Sequence, residues 1–159
     1  METESLAAAL EREHREIDEG IAALAASPGD PQPLTRAIRA LRRHIYLEEE
    51  FLFPLLRRAE PALAAPVFVM LREHAEIWAT LDELEREPGG ASRALYRQLA
   101  SRLLHHNLKE ERVLYPRADE VLSPAAAGQL QAFLGSGELP EGWVCIKARS
   151  VTPDAGRRP

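Results

Sequence analysis

Two stretches decide the fold: His44-Ile45-Tyr46-Leu47-Glu48-Glu49 and His106-Asn107-Leu108-Lys109-Glu110-Glu111. They agree at the His and at both Glu. Each leads into a similar ending, Phe51-Leu52-Phe53-Pro54 in one and Val113-Leu114-Tyr115-Pro116 in the other. Residues i and i+4 lie one above the other on a helix face, so His44 and Glu48 point the same way, as do His106 and Glu110. Upstream of each lies a second matching pair. Arg12-Glu13-His14-Arg15-Glu16-Ile17 agrees with Arg72-Glu73-His74-Ala75-Glu76-Ile77 at five of six positions. The chain is therefore a repeat of two helix pairs. The odd helices give one His each, and the even helices give His-x-x-x-Glu.

Apolar spacing reads as helix around these motifs. The rows are Leu6, Leu10, Ile17, Ile21, Leu24; then Leu34, Ile38, Leu41, Ile45, Leu52, Leu55; then Val67, Met70, Leu71, Ile77, Leu81, Leu84; then Leu95, Leu99, Leu103, Val113. Pro28-Gly29 and Pro88-Gly89-Gly90 are stops, and Asp30-Pro31 offers an N-cap followed by proline at the first helical position. Pro54 lies inside the second row, which predicts a kink or an early end there. Pro61 closes the segment. Short connections favour an all-α, up-down-up-down four-helix bundle over residues 1–118. Ser123-Pro124 caps a short further helix ending near Leu134. An irregular C-terminal part completes residues 119–159, with a frayed tail from Thr152 to Pro159. Trp143, Val144 and Ile146 are expected to dock on the bundle or on a partner.

The six motif residues interrupt the apolar rows, so His14, His44, Glu48, His74, His106 and Glu110 should face the core. Two carboxylates buried without partners cost several kcal/mol each. No Lys or Arg occupies the inward rows beside them. Metal ions supply the missing charge, and imidazole with carboxylate suits iron, manganese or zinc more than calcium or magnesium. Two carboxylates from opposite helices can bridge two metals, which leaves one His pair for each. A lone core His is more often a hydrogen-bonded structural residue; four of them, repeated and accompanied by Glu, point to a shared metal site. His105 competes with His106, but its helical neighbours Ser101, Arg102, Lys109 and Arg112 form a solvated face. Glu49 and Glu111 read as rim groups behind the ligands. Asp18 reads as an exposed carboxylate before an added ligand, Trp78 as core packing before chemistry, and Tyr46 and Tyr115 as structural before neighbours of the metals.

Composition narrows the classes. The 159 residues suit one domain with a hydrophobic core, and 6% aromatics lean toward helix rather than strand. The net charge of -5, without a basic stripe, argues against a nucleic-acid partner. One cysteine, Cys145, excludes an internal disulfide framework and a thiolate-rich zinc or iron–sulfur site. No apolar run approaches the roughly 20 residues that span a bilayer. The acidic start, Met1 to Ser5, lacks a hydrophobic signal core, so the expected compartment is the cytoplasm.

These residues resemble the hemerythrin-like family, also called the HHE cation-binding domain. The resemblance rests on His14, on His44-x-x-x-Glu48-Glu49 with Leu52-Phe53-Pro54, on His74, and on His106-x-x-x-Glu110-Glu111 with Leu114-Tyr115-Pro116. It covers roughly residues 5 to 118. It implies two iron ions in a non-haem di-iron centre, with Glu48 and Glu110 bridging, His14 and His44 on one iron, and His74 and His106 on the other. Oxygen-carrying members have a further His one turn after the third-helix His, where this chain has Trp78. The resemblance therefore implies a protein that binds or reacts with dioxygen, peroxide or nitric oxide rather than a simple oxygen carrier. The alternative is an iron-handling or sensing module without turnover, which would signal through a protein partner or homodimer contact of the C-terminal segment. Manganese or zinc in place of iron is a third reading.

Overall fold

The computed structural model describes residues 2–26, 31–86 and 92–149. The stops at Pro28-Gly29 and Pro88-Gly89-Gly90, the Asp30 cap and the tail from Thr152 lie outside them. The described residues are helical apart from short connections and contain no strand. Helix α1 is Leu6–Ala26 and α2 is Pro31–Leu47. A π-helical turn, Glu48–Leu52, joins α2 to α3, Phe53–Ala59. A 3₁₀ turn, Pro61–Leu63, leads into α4, Ala64–Arg86. Then α5, Ser92–Lys109, runs through a second π turn, Glu110–Leu114, into α6, Tyr115–Val121. Helices α7, Pro124–Ser136, and α8, Ile146–Arg149, complete the order.

The bundle's direction of travel is visible in its packing. One apolar cluster joins Ile17, Ile21 and Leu24 from the end of α1 to Leu34, Ile38 and Leu41 from the start of α2. The same cluster joins Ile77, Leu81 and Leu84 from the end of α4 to Tyr96, Leu99 and Leu103 from the start of α5. Ends meet starts, as an up-down-up-down bundle requires. A second cluster gathers Leu6, Leu10, Leu52, Phe53, Leu56, Val67, Met70, Leu71, Leu114 and Tyr115 at the opposite end. Each fully buried Leu, Ile or Phe contributes about 1.5–3 kcal/mol. The six motif residues occupy the layer between the two clusters, so the hydrophobic core is split by one polar stratum.

Pro54 does not end its helix. A proline lacks an N–H, and its ring collides with the carbonyl four residues back. The chain meets this by lengthening one turn: Phe53 N–H bonds to Glu48 O, five residues back, and the helix continues to Ala59. The second repeat does the same before Pro116, with Tyr115 N–H on Glu110 O. The extra residue shifts the apolar phase by one position. Leu56, not Leu55, is fully buried in the first repeat. In the second, Val113 is 44% exposed and Leu114 takes the inward place. Of the positions expected inward beyond the two Glu, Leu52 is buried, whereas Leu55 and Val113 each miss the inward place by one residue.

The C-terminal part docks on the bundle. Ser123 caps α7 by accepting from Ala126 N–H at 3.1 Å. The Arg43 guanidinium donates to the carbonyls of Phe133, Leu134 and Gly137 at the far end of α7. Trp143 packs edge-on against both Tyr46 and Trp78, and its Nε1 donates to Glu50 at 2.8 Å. No helix among the described residues is long and apolar enough to cross a membrane.

Candidate metal centre

Four helices each supply an imidazole to the polar layer: His14 from α1, His44 from α2, His74 from α4 and His106 from α5. Their Nε2 atoms converge. His14 and His44 Nε2 lie 3.0 Å apart, and His74 and His106 Nε2 lie 3.1 Å apart. The carboxylates come from the first residue of each π turn, where the widened backbone sets Glu48 and Glu110 between the pairs. Glu48 Oε1 is 3.3 Å from both His44 Nε2 and His74 Nε2. Glu110 Oε1 is 3.0 Å from His106 Nε2 and 3.4 Å from His14 Nε2. Each carboxylate therefore reaches one imidazole of each pair. Two groups of four potential ligands result, His14–His44–Glu48–Glu110 and Glu48–His74–His106–Glu110, with the two Glu common to both.

Every member of these groups is buried. Glu48 Oε1 and Glu110 Oε2 have no hydrogen-bond partner, and their ion-pair partners among the described residues are histidines, not Lys or Arg. Two ring nitrogens at 3.0 Å cannot both carry a proton aimed at the other. Converging lone pairs beside unpartnered carboxylate oxygens fit cations, and the mixture of imidazole and carboxylate fits iron. Burial pushes His44 down, yet Glu48 and Glu13 outweigh it and hold the ring well above its ordinary value. Burial likewise opposes, and Glu110 and Glu73 overcome it, to lift His106 to about 10. Burial pushes Glu48 up, but His44, Glu110 and His74 hold it well below the usual carboxylate range.

The comparison with known families decides what kind of centre this is. The model of the hemerythrin HHE cation-binding domain matches residues 5–118, most of the chain, a span that includes all six residues of the two groups. The chain belongs to the hemerythrin HHE cation-binding family. Membership implies iron binding. Among curated proteins, it is similar to the iron-sulfur cluster repair protein YtfE of Yersinia pestis (strain Pestoides F) and of Yersinia pseudotuberculosis serotype O:1b (strain IP 31758). The identity is 34% over 98 residues in each case. The match covers 54% of this chain and 44% of each relative, so it spans less than half the length of those curated proteins. No solved structure gives a significant match.

A second layer of carboxylates stands behind this hemerythrin-like centre. The Nδ1 atoms face four further Glu side chains: Glu49 at 2.7 Å from His74, Glu73 at 3.0 Å from His106, Glu13 at 3.8 Å from His44, and Glu111 at 3.9 Å from His14. The pattern obeys the internal repeat. Glu13 and Glu73, which precede His14 and His74, face the His of the following helix, His44 on α2 and His106 on α5. The second Glu of each Glu-Glu pair faces a His of the other half. A ligating His whose other nitrogen is held by a carboxylate is fixed in ring orientation and tautomer. The rim role expected of Glu49 and Glu111 becomes this outer support, buried for Glu49 and half-buried for Glu111. Glu13 and Glu73 escaped the sequence reading, although the doubled Glu-His pair was their signal.

Tyr115 lies inside the layer. Its hydroxyl donates to Glu48 Oε2 at 2.9 Å and stands 2.8 Å from His14 Nε2 and 3.2 Å from His44 Nε2. Its repeat counterpart, Phe53, stacks on His74 with ring centres 5.6 Å apart. One half of the centre thus carries a hydroxyl and the other a bare ring. Tyr46, expected to be structural, packs among Phe51, Phe133 and Trp143. His105 is exposed and its Nδ1 donates to Ser101 O, so His106 is the inward residue of the pair. Asp18 is exposed. Trp78, at the place of the oxygen carriers' additional His, is buried between the Arg42 guanidinium and Trp143.

Proposed function

We propose that this protein is a non-haem di-iron protein that binds or reacts with a small oxidant: dioxygen, peroxide or nitric oxide. The observation that carries this reading is the pair of four-ligand groups sharing Glu48 and Glu110 in a buried layer. His14 and His44 would hold one iron, His74 and His106 the other, and the two carboxylates would serve both. Bound iron supplies an electron-rich centre at which a small oxidant can be ligated or reduced. The chain's own residues supply the surroundings. Leu10, Ile17, Leu52 and Leu71 belong to the apolar clusters on either side and limit water. Tyr115 is the proton donor nearest the centre. Burial, with Glu110 and Glu48 beside it, lifts its hydroxyl well above the ordinary value, so it keeps its proton at neutral pH. Trp78 brings no nitrogen to the centre, which leaves the His74–His106 side with fewer imidazoles than in an oxygen carrier.

The experiment is elemental analysis and optical spectroscopy of protein purified without added metal. Reduced protein is then mixed in turn with dioxygen, hydrogen peroxide and nitric oxide. About two irons per chain and an absorption change with at least one oxidant are expected. Iron binding without any spectral response would overturn the oxidant reading.

A second reading is favoured by the name of the curated relatives, which are iron-sulfur cluster repair proteins. In it the chain handles iron without turnover. It predicts iron transfer to an apo acceptor and no catalytic consumption of peroxide.

A further inference from the structure

The internal repeat contains its own control experiment. Glu49 and Glu111 hold equivalent places after Glu48 and Glu110, and both face the Nδ1 of a ligand His in the other half. They are nevertheless unlike. Glu49 has a fully buried side chain, and its Oε2 lies 2.7 Å from His74 Nδ1. Glu111 has a side chain 26% exposed and lies 3.9 Å from His14 Nδ1. The difference coincides with one segment that has no counterpart in the repeat. Ile146 N–H donates to Glu49 Oε1 at 2.7 Å, so Glu49 is held from both ends. The segment is seated by its own contacts: Trp143 on Glu50, Trp78 and Tyr46, Cys145 buried in the core, and Arg149 on Glu50 and the Val144 carbonyl. Helix α8 packs on α4, which carries His74.

We propose that Trp143–Arg149, which lies outside the family match, is a working part of the metal centre. Through the Ile146 amide it pins Glu49, Glu49 fixes the His74 imidazole, and the His74–His106 position thereby holds its ion more firmly than the His14–His44 position. This rests on the di-iron reading and adds an inequivalence that the ligand motif does not contain. The motif is symmetric; the covering segment is not. The outer distances agree across both helices of each half: 2.7 and 3.0 Å behind His74 and His106, against 3.9 and 3.8 Å behind His14 and His44. Ile146 and Glu49 act as positioning residues, since neither belongs to the ligand groups.

The test is iron release from the full chain, loaded anaerobically with Fe(II) and challenged with a chromogenic chelator. Wild type is expected to release iron in two phases of similar amplitude. Ile146→Pro removes the backbone N–H that Glu49 Oε1 accepts. Ile146 opens α8, where proline is tolerated. This variant is expected to speed the slow phase about 10-fold, as loss of support behind a ligand His does, and to leave the fast phase unchanged. Glu111→Gln should alter only the fast phase. Single-phase release by the wild type, or equal acceleration of both phases in Ile146→Pro, overturns the proposal. Should Ile146→Pro fail to fold, Glu49→Gln tests the same link from its other end, and an unchanged slow phase there overturns it. A chain that takes up no iron at all defeats the di-iron reading itself, an outcome distinct from the others.

Discussion

The Tyr115 hydroxyl donates to Glu48 across the bundle, at 2.9 Å, from a position where the first repeat carries Phe53. The same ring shape is thus used twice, once with a proton to give. Tyr115→Phe should fold and should hold iron at the wild-type level, because the ligand groups do not include Tyr115. If the proposed oxidant chemistry includes peroxide, that reaction should slow by about 100-fold, the lower range for loss of a positioned proton donor. Stopped-flow absorbance reads this directly; an unchanged rate removes Tyr115 from the chemistry.

Glu48 belongs to both ligand groups, whereas His44 belongs to one. The two substitutions should therefore differ in kind. His44→Ala should lose mainly one iron per chain, and Glu48→Gln should weaken both positions. Elemental analysis after dialysis against dilute chelator separates the cases. Equal iron content in the two variants would contradict the shared role of Glu48.

Protons and metal compete for the same nitrogens, which gives the metal-free chain an unusual pH profile. His44, His74 and His106 have raised values in the fold, about 10 for His106 against an ordinary 6.5. Their contribution is complete below about 6.5 and is lost as pH rises through the folded values. Glu48 and Glu73 are lowered, Glu73 to about 2 by its hydrogen bond with His106 and against the opposing effect of burial. Their contribution is present above about 4.5 and fades as pH falls toward 2. The metal-free protein should thus be most stable between about pH 4.5 and 6.5 and should weaken toward pH 10. Iron binding at pH 7 should release protons. Thermal melts of chelator-treated protein and proton release in weak buffer check both. A metal-free chain more stable at pH 9 than at pH 6 would refute this account.

The π turn before Pro116 makes a stability prediction for two adjacent residues. Leu114 is buried and Val113 is 44% exposed. Leu114→Ala should cost about 2–5 kcal/mol, and Val113→Ala should lie within about 0.5 kcal/mol of wild type. Urea unfolding of the two variants distinguishes this from an uninterrupted α-helix, for which Val113 would be the costly site.

Much of the centre was legible in the chain. Alternation of apolar rows with His14, His44, Glu48, His74, His106 and Glu110 identified an inward polar layer, because a 3.6-residue period fixes which positions share a face. The choice of His106 over His105 followed from the same period and from the repeat. What failed did so where the period failed. Leu55 and Val113 were read as inward because the widened turns ahead of Pro54 and Pro116 add a residue that no apolar count reveals. Tyr115, read first as structural and only second as a neighbour of the centre, follows the π turn, and the shifted phase carries its hydroxyl beside Glu48 and His14.

The bundle, the doubled His-x-x-x-Glu motif and its inward direction were readable from the chain alone, since these depend on helical periodicity and on the cost of burying unpaired carboxylates. Whatever depends on distance between elements remote in the chain came from helix packing. It placed Glu13 and Glu73 behind His44 and His106, set Tyr115 between Glu48 and His14, and laid Ile146 on Glu49 in one half alone. Spacing along one helix constrains neighbours one turn apart. Only the packing of several helices brings a backbone amide at 146 to a carboxylate at 49, and the repeat in the chain gives no sign that the two halves would be covered differently.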